Sequence, residues 1–545
     1  MPIVSIQALT GETLYNMFVA GGYYVIQNKE SLNKINVFPV PDGDTGTNLA
    51  STFYSIIENG KVYKSAGKTM QSIAEEAITG ARGNSGIIFA QFLSGLSSAL
   101  GEVHTITVEH FSKAVNKAVE VSFKAINNPV EGTMLSVIRD WAEVVFSLAD
   151  KLPDFVHLFS NSLAAANKML KETTNKLKVL KDHHVVDAGA KGFVHFLQGI
   201  EAFIKSGTIA NKKIEMPKVE EDYHTEIHEQ QNLPYRYCTE ALIKGDNIDQ
   251  QKLKQTLSSF GDSLIVAGTE HFARIHIHTN QPAVLFKMLR PVGKLMQQKA
   301  DDMVRQQEVV YKRKHNIALV TDSSCDLPQE IIDRHQIHVL PLHLTIDDNE
   351  YLDKVTITPH QFYDLLDTAV TYPSTSQPAV GDVRSLFSFL SSYYDSIIAI
   401  NLSSAMSGTF NLIKQEAEKI EGTEISVVDS KQLSGSLGLI VARVAEDIEA
   451  GKSYEEIMES IEAYTQKADL FVTVPSLQYM VRGGRVSPLK GAVAKLLNLK
   501  PIVSVDREGN STLHGKAFSK RANKKKIIRM VTDIAARDDL YSYAV

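Results

Sequence analysis

The sequence predicts a multidomain protein in which an all-helical N-terminal segment is followed by two α/β segments. Three patterns lead to this prediction. Residues 1–205 repeat apolar side chains at helical spacing, residues 234–313 contain strand-like alternation, and residues 314–545 alternate apolar strands with helices. At 545 residues the chain is long enough for three or four domains, each with its own core.

Composition narrows the range of functions. The chain is 43% apolar and 22% charged, as is typical of globular proteins, and its net charge of -6 gives no reason to expect a nucleic-acid partner. Two cysteines argue against a disulfide framework and fit a reducing cytoplasm. The N-terminus has no signal-type run, and no stretch approaches the roughly 18 apolar residues of a membrane helix. We therefore expect a cytoplasmic protein with no transmembrane segment.

An acidic loop that leads into a clear helical pattern is the most informative stretch. It reads Asn36-Val-Phe-Pro-Val-Pro-Asp-Gly-Asp-Thr-Gly-Thr-Asn48. Asp42 and Asp44 lie one residue apart, and the neighbouring glycines allow a tight turn. Paired carboxylates suit a divalent cation such as Mg²⁺, and a helix N-terminus favours phosphate groups. A solvated acidic turn that caps the helix is the alternative interpretation of these residues.

This loop resembles the signature of the nucleotide-binding domain of dihydroxyacetone kinases, the DhaL type, in the form found in bacterial fatty-acid kinases. In that family an all-α helical barrel binds ATP through two Mg²⁺ ions. The resemblance implies that Asp42 and Asp44 are catalytic and bind Mg²⁺, with Asn36 also at the metal site and Thr45 and Asn48 contacting the cofactor. Many dihydroxyacetone kinases have an Asp at the position of Asn36, which weakens the case for dihydroxyacetone as the substrate.

Three later loops resemble other parts of the same nucleotide site. The first reads Gly80-Ala-Arg-Gly-Asn-Ser-Gly86, and the free backbone N–H groups of such a turn before a helix favour an anion. The second contains Glu131-Gly-Thr-Met134, and the third contains Val185-Val-Asp-Ala-Gly189. We expect all four loops to converge at one end of a helical bundle. The further cofactor contacts that the resemblance implies are Asn84, Ser85, Gly86, Thr133, Met134, Asp187 and Gly189.

A charged stretch with little periodicity at residues 206–233 is predicted to be a linker to the α/β middle segment at 234–313. In that segment His276 and His278 share one strand face, and Cys238 lies on a second predicted strand. These side chains would supply three ligands of a tetrahedral Zn²⁺ site, whereas a half-exposed strand edge is the alternative. The segment resembles the middle domain of fatty-acid kinases, which has a Cys and a His-x-His at similar positions. We expect a structural Zn²⁺ rather than a catalytic one.

The C-terminal segment, residues 314–545, places hydroxyl-rich loops after apolar strands, where they can donate hydrogen bonds to a carboxylate or phosphate. The order and the amino-acid sequences of these loops resemble those of the DegV family of fatty-acid-binding proteins, which are α/β proteins. In that family Thr-Ser and Ser-Ser hydroxyls hold the fatty-acid carboxyl group while the acyl tail is buried. The matching positions are Thr375, Ser376, Ser403 and Ser404. Helix capping is the alternative role for these hydroxyls.

The DegV pattern normally continues past the point that this chain reaches at Val545, and supplies a His that contacts the carboxyl group. We therefore expect a C-terminally incomplete DegV-like domain, and we assign no such His.

Together these resemblances imply an ATP-dependent kinase that converts a fatty acid to an acyl phosphate for lipid synthesis. A carboxylate is already ionised near neutral pH, so the reaction requires no strong general base. The alternatives are a dihydroxyacetone-type kinase for a small polyol or ketone, and a non-catalytic lipid-binding regulatory protein. The expected cofactors are ATP, two Mg²⁺ ions and a structural Zn²⁺. The expected partners are a long-chain fatty acid, separate DegV-family proteins, an acyltransferase and a second copy of the chain in a homodimer.

Overall fold

The computed structural model describes residues 5–38, 43–126, 129–152, 154–209, 233–474, 477–484, 500–537 and 542–544. The chain divides into two compact units, Met1–Met303 and Val304–Val545. Most of the predicted linker, at 210–232, lies outside the described residues, and the proposed domain boundaries stay predictions.

The first part of the N-terminal unit is helical, as its periodicity predicts. Several of these helices begin at a Ser, Thr or Asp whose side chain accepts a backbone N–H of the first turn, as Thr10 and Ser65 do. Two short strands, β1 (Ala8–Leu9) and β2 (Ile106–Thr107), pair with each other. The helices are α1 (Gly11–Gln27), α2 (Lys29–Lys34), α3 (Thr45–Asn59), α4 (Ala66–Gly80), α5 (Gly83–Leu100), α6 (Val108–Ala125), α7 (Met134–Ala149), α8 (Phe155–Lys176), α9 (Lys178–Asp182) and α10 (Ala188–Ser206).

The rest of this unit is an antiparallel sheet with helices. Its strands are ordered β4-β5-β3-β6, so β5 is an interior strand and the strand-edge alternative for its histidines is wrong. The elements are β3 (Tyr237–Lys244), α11 (Gln250–Leu257), β4 (Asp262–Gly268), β5 (Phe272–Thr279), α12 (Pro282–Leu289), β6 (Lys294–Asp302) and α13 (Met303–Tyr311), the last of which crosses into the second unit.

This sheet and the helices share one hydrophobic core. Leu242, Ile265 and Ala267 of the sheet are buried in the same cluster as the apolar faces of α1, α4 and α5. Two buried polar side chains of α5 also form hydrogen bonds with the backbone of β4. Ser94 Oγ donates to the Gly268 carbonyl at 2.6 Å, and Gln91 Oε1 accepts the Gly268 N–H at 2.9 Å.

The second unit is α/β and is built on a parallel sheet in the order β13-β12-β7-β8. Two smaller antiparallel sheets have the orders β10-β9-β11 and β14-β15-β16. The strands are β7 (Ile317–Asp322), β8 (His338–Leu340), β9 (His343–Ile346), β10 (Asn349–Leu352), β11 (Ser374–Ser376), β12 (Ser396–Asn401), β13 (Glu424–Asp429), β14 (Val472–Thr473), β15 (Lys500–Val505) and β16 (Ser511–Ala517).

Several helices of this unit pack against the parallel sheet. The helices are α14 (Gln329–Arg334), α15 (Pro359–Thr368), α16 (Val380–Ser391), α17 (Thr409–Ala417), α18 (Ser434–Glu449), α19 (Tyr454–Lys467), α20 (Gln478–Arg482) and α21 (Lys520–Arg537). The predicted multidomain class, all-α and then α/β, is confirmed. Across the described residues, none of the helices combines the length and the apolar character needed to cross a membrane.

Candidate functional site

The acidic loop leads directly into α3. Asp42 lies outside the described residues, but Asp44 immediately precedes the first turn of α3, and its carboxylate makes no capping hydrogen bond with the described backbone there. Asn36 is buried, and its N–H donates to the Asn33 carbonyl at 3.1 Å. The Asn33 side-chain oxygen in turn accepts the Thr47 N–H at 3.1 Å. This hydrogen bond connects the segment before the loop to the first turn of α3. This contact lies next to Asp44, which precedes the first turn of α3.

The second predicted loop meets the first at Gly83. The backbone of Gly83 has a φ of +56°, and a Cβ there would lie only 2.2 Å from Asn48 Nδ2. Thr45 and Asn48 are buried in the first turns of α3. Helix α5 begins at Gly83, so residues 84–86 are its first turn and not a turn that precedes it, which corrects the sequence-based expectation. The left-handed conformation of Gly83 makes the sharp change of direction, and the helix follows at once.

The remaining two loops meet the second at Gly189. A Cβ on Gly189 would lie 3.0 Å from Ser85 Oγ, 3.3 Å from Met134 Cβ and 3.4 Å from Asp187 Oδ1. Thr133 precedes α7, and its hydroxyl donates to a carbonyl within its own loop, Val130, at 2.9 Å. The structure therefore brings the four loops together through the contacts at Gly83 and Gly189, at the N-terminal ends of four helices.

Asp187 caps the last of these helices from a buried position. Its carboxylate accepts the Ala190 N–H at 2.7 Å, and its own N–H donates to Thr173 Oγ1 at 3.1 Å. Burial raises the pKa of Asp187 to about 6, although the hydrogen bonds from Ala190 and Met134 oppose the rise. The side chain is thus a buried carboxyl group with a raised pKa next to the converging loops.

Cys238, His276 and His278 form a cluster on the sheet of the same unit. Their ligand atoms lie within 4.8 Å of one another, and Cys238 Sγ is 4.0 Å from His276 Nδ1. The strand register explains the cluster, because Cys238 on β3 is the direct partner of His278 on β5. Among the described residues, the buried Nε2 of His276 has no hydrogen-bond partner. One thiol and two imidazoles with an unsatisfied nitrogen fit Zn²⁺.

The electrostatics around this cluster favour neutral imidazole, which is the form that binds metal. Burial and, to a smaller extent, the charge of His276 lower the pKa of His278 to about 4, although the charge of Asp262 opposes the change. Asp262 Oδ1 lies 3.1 Å from His278 Nδ1. A carboxylate behind a histidine in this way is common at zinc sites.

Another carboxylate, that of Glu240, connects this cluster to the converging loops. Its Oε1 accepts the Gly83 N–H at 2.7 Å and lies 3.4 Å from His276 Nδ1, while its Oε2 accepts from Arg274 at 3.2 Å. Burial alone would raise the pKa of Glu240, but the hydrogen bond with His276 and the charges of Arg274 and Lys299 hold it well below its usual range. The sheet therefore meets the predicted phosphate turn through a buried anion.

Sequence reasoning did not identify Glu240, Arg274, Lys299 or Asp301 as members of this region. They occupy alternate positions on three strands, and direct cross-strand pairs join Glu240 with His276 and Lys299, and Cys238 with Asp301. The period-two polar spacing in each strand is the signal that could have found them.

We expect metal analysis of protein purified without added zinc to find about one Zn²⁺ per chain, as a single tetrahedral site would hold. Cys238→Ala should lose most of this metal because the thiolate is removed. Cys325→Ala is the matched control and should keep it, since Cys325 is a buried thiol of the second unit whose pKa is raised to about 12 by burial. Wild-type protein without zinc, with Cys238→Ala equally stable, would contradict the site.

In the second unit, polar groups gather where the parallel strands end. Asp322 terminates β7 and accepts the Leu402 N–H at 2.9 Å and the Asn401 side-chain amide at 3.2 Å. Ligands of open α/β sheets bind at this edge. Ser403 and Ser404 lie in the loop that follows β12, at the same edge.

The four hydroxyl groups that are predicted to bind the head group differ in their exposure and in their hydrogen bonds. Ser403 is buried, and its hydroxyl donates to the Gly509 carbonyl at 2.8 Å, while Ser404 Oγ donates to Asp429 Oδ2 at 2.5 Å. Thr375 and Ser376, in contrast, are exposed on the short strand β11. The next residue, Gln377, packs against the loop after β12, where its Oε1 lies 2.8 Å from the position of a Cβ on Gly408. The structure thus places β11 and that loop side by side.

Three protein-family models match this chain in succession. The DAK2 domain matches residues 39–202, the FakA-like middle domain of fatty acid kinases matches 234–310, and the DegV family matches 316–542. The chain also resembles an uncharacterized protein of Staphylococcus saprophyticus, at 33% identity over 323 residues. A Staphylococcus aureus protein, also uncharacterized, is equally similar. The alignments cover 57% of this chain and 58% and 59% of those relatives, so the chain spans less than two thirds of their length.

Two solved structures are similar to part of the chain. One is a fatty-acid-binding DegV family protein from Thermus thermophilus, with 30% identity, 40% of this chain and 78% of that chain covered, and a TM-score of 0.38. The other is the fatty-acid-binding DegV of Bacillus subtilis, with 28% identity, 41% and 79% coverage, and a TM-score of 0.38. The three family models, in this order along one chain, support a fatty-acid-kinase-like protein fused to a DegV fatty-acid-binding domain.

Proposed function

We propose that this protein uses ATP to phosphorylate a fatty-acid carboxylate, giving an acyl phosphate for lipid synthesis. The observation that carries the proposal is the convergence of four loops, distant in sequence, at the N-terminal ends of four helices next to Asp44. Helix N-termini attract phosphate groups, and a carboxylate at the same place suits the cation that accompanies a nucleotide. The matches to kinase-type families support this use of the site.

The chain's own residues have separable roles in this proposal. Asp44, with Asp42, would hold Mg²⁺, since hard carboxylate oxygens are the ligands that this ion prefers. Bound Mg²⁺ would neutralise charge that develops on the phosphates. Asn84, Ser85 and Gly86 would present the first turn of α5 to the phosphates, and Thr133 would contact the nucleotide from the third loop. Asp187 holds Ala190 in place where Ser85 and Met134 meet Gly189.

In the transfer step, a carboxylate oxygen of the fatty acid attacks the terminal phosphorus of ATP. The new P–O bond forms as the bond to the bridging oxygen breaks, and ADP leaves with that electron pair. This is in-line phosphoryl transfer, in which the protein chiefly positions the reactants and stabilises charge. The nucleophile is already ionised near neutral pH, so no side chain has to remove a proton.

The DegV-like segment would carry the acyl chain. An acyl tail is too apolar to remain in water, so the carrier buries the tail and exposes the head group. Thr375 and Ser376 are the better candidates for the head group, because Ser403 and Ser404 already donate their hydroxyl protons within the protein. A hydroxyl whose proton is committed can still accept a hydrogen bond but cannot donate one to a carboxylate. Ser403 and Ser404 then shape the loop against which the head group lies.

The central experiment measures ATP turnover with oleate, with dihydroxyacetone and without any acceptor. Hydroxylamine trapping of the product identifies an acyl phosphate. We expect oleate to stimulate ADP release and to give a trapped hydroxamate. Turnover with dihydroxyacetone alone would favour the small-molecule kinase, and nucleotide binding without turnover would favour the regulatory protein.

We expect Thr375→Ala/Ser376→Ala to weaken fatty-acid binding by about tenfold or more, because each hydroxyl bond to a charged acceptor contributes about 1.5–3 kcal/mol. Direct titration with a long-chain fatty acid, and solvent extraction of co-purified lipid, measure the effect. Ser391→Ala/Ser392→Ala is the matched control, a neighbouring hydroxyl pair at the end of α16 that bonds only the Ser388 carbonyl among the described residues. A lipid-free wild type that binds no added fatty acid would remove the carrier role.

A further inference from the structure

On one face of the middle sheet, polar side chains form two rows that run across the strands. One row holds His278, Cys238 and Asp301 on β5, β3 and β6, and the next row holds His276, Glu240 and Lys299 on the same strands. His278 and Cys238 of the first row, with His276 of the second, form the candidate metal cluster. The second row touches the converging loops, because Glu240 accepts the Gly83 N–H at 2.7 Å.

Lys299 stands directly opposite Glu240 in this second row. Its ammonium lies 2.6 Å from Asp301 Oδ2, and 42% of its side chain is exposed. Side chains directly opposite on paired strands have Cβ atoms about 5 Å apart. A flexible lysine stem therefore reaches the region where Glu240 meets Gly83.

The charges around Lys299 also connect it to the acidic loop. The charge of Asp301 raises the pKa of Lys299 well above its usual value, and the charges of Glu240 and Asp44 act in the same direction. Asp44 is the predicted Mg²⁺ ligand, at the start of α3. The charge of Lys299 thus interacts with Glu240, which accepts the Gly83 N–H, and with Asp44 of the predicted metal-binding loop.

We propose that Lys299 contacts the terminal phosphate of the bound nucleoside triphosphate. The inference rests on the proposed function and assigns a catalytic residue to the middle segment. A nucleoside triphosphate with one or two Mg²⁺ ions still needs positive charge at its terminal phosphate, and a lysine ammonium beside a helix N-terminus commonly supplies it. Binding of the nucleotide would draw the ammonium from Asp301 toward the phosphate.

The test compares the affinities of a non-hydrolysable ATP analogue and of ADP, each with Mg²⁺, measured by calorimetry on the full chain. Lys299→Met should weaken binding of the analogue about tenfold or more and binding of ADP less than about twofold, since a charge-assisted bond to the terminal phosphate is lost only in the triphosphate. Lys299→Arg should recover part of the preference. Lys294→Met, an exposed lysine at the start of the same strand, should change neither affinity.

Asp301→Asn separates the proposed contact from a structural ion pair. This variant breaks the pair but keeps the lysine charge, so it should retain the preference for the triphosphate analogue. If Lys299→Met keeps the wild-type ratio of the two affinities, or if Asp301→Asn loses the preference as fully as Lys299→Met does, the contact is wrong while the kinase proposal stands. If the wild-type chain binds neither nucleotide, the proposed function itself fails.

Discussion

Replacing Asp44 with alanine is expected to lower fatty-acid-dependent ATP turnover by roughly 100-fold or more, the scale for losing one preorganised electrostatic element. Asp42→Ala should behave in the same way. The fold should be little affected, because the Asp44 carboxylate makes no capping hydrogen bond with the described start of α3. Steady-state turnover and a thermal melt of each purified variant measure the two effects separately.

Asp246→Ala is the matched control for charge, because Asp246 is an exposed aspartate in a turn of the same unit. It should leave both turnover and melting temperature close to wild type. Normal turnover in Asp44→Ala with its lipid substrate would show that the acidic loop is not the metal-binding element, and would leave the four-loop junction without a catalytic role.

Glu240→Ala is expected to lower the free energy of unfolding by about 3–5 kcal/mol, because it leaves a buried charge without its partner. Arg274 and Glu240 are both almost fully buried, and their ion pair is 3.2 Å long. The substitution also removes the acceptor of the Gly83 N–H. Denaturant unfolding of the full chain, followed by a probe in the N-terminal unit, measures the loss.

Two further variants provide the comparison for the unfolding free energy of Glu240→Ala. Glu270→Ala removes a carboxylate from the exposed turn between β4 and β5 and should leave the stability nearly unchanged. Glu240→Leu/Arg274→Met replaces the whole pair with apolar side chains and should recover much of the loss. A Glu240→Ala protein as stable as the Glu270→Ala protein would mean that Arg274 is not an isolated buried charge once its partner is gone.

Much of the architecture could be predicted because it depends on local patterns. Helical periodicity and N-capping residues predict the helices up to Ser206, and alternation predicts β5 with both histidines on one face. The approach of Cys238 to these histidines is also predictable, since a Cys and a His-x-His motif on adjacent strands can converge whenever the strands pair.

The contribution of Glu240 and Lys299 could not be predicted in the same way. Their meeting depends on the register between β3 and β6, about 60 residues apart along the chain, and a shift of one residue would turn the side chains to the opposite face. Likewise, the partner of Ser403 is a carbonyl on Gly509, and no local pattern links those two positions. Sequence spacing identifies side chains that can donate hydrogen bonds, but it does not show which acceptors within the protein they already bond.

The core shared by the helices and the middle sheet has a consequence for cooperativity. Gln91 and Ser94 of α5 are buried and satisfied by Gly268, while Leu242, Ile265 and Ala267 fill the same core. A fragment ending near residue 209 would expose this apolar surface, and the side chains of Gln91 and Ser94 would lose their hydrogen bonds to Gly268. The helices and the middle sheet should therefore melt in a single calorimetric transition, and the smallest piece able to fold alone is the whole stretch through Met303, not the helical part.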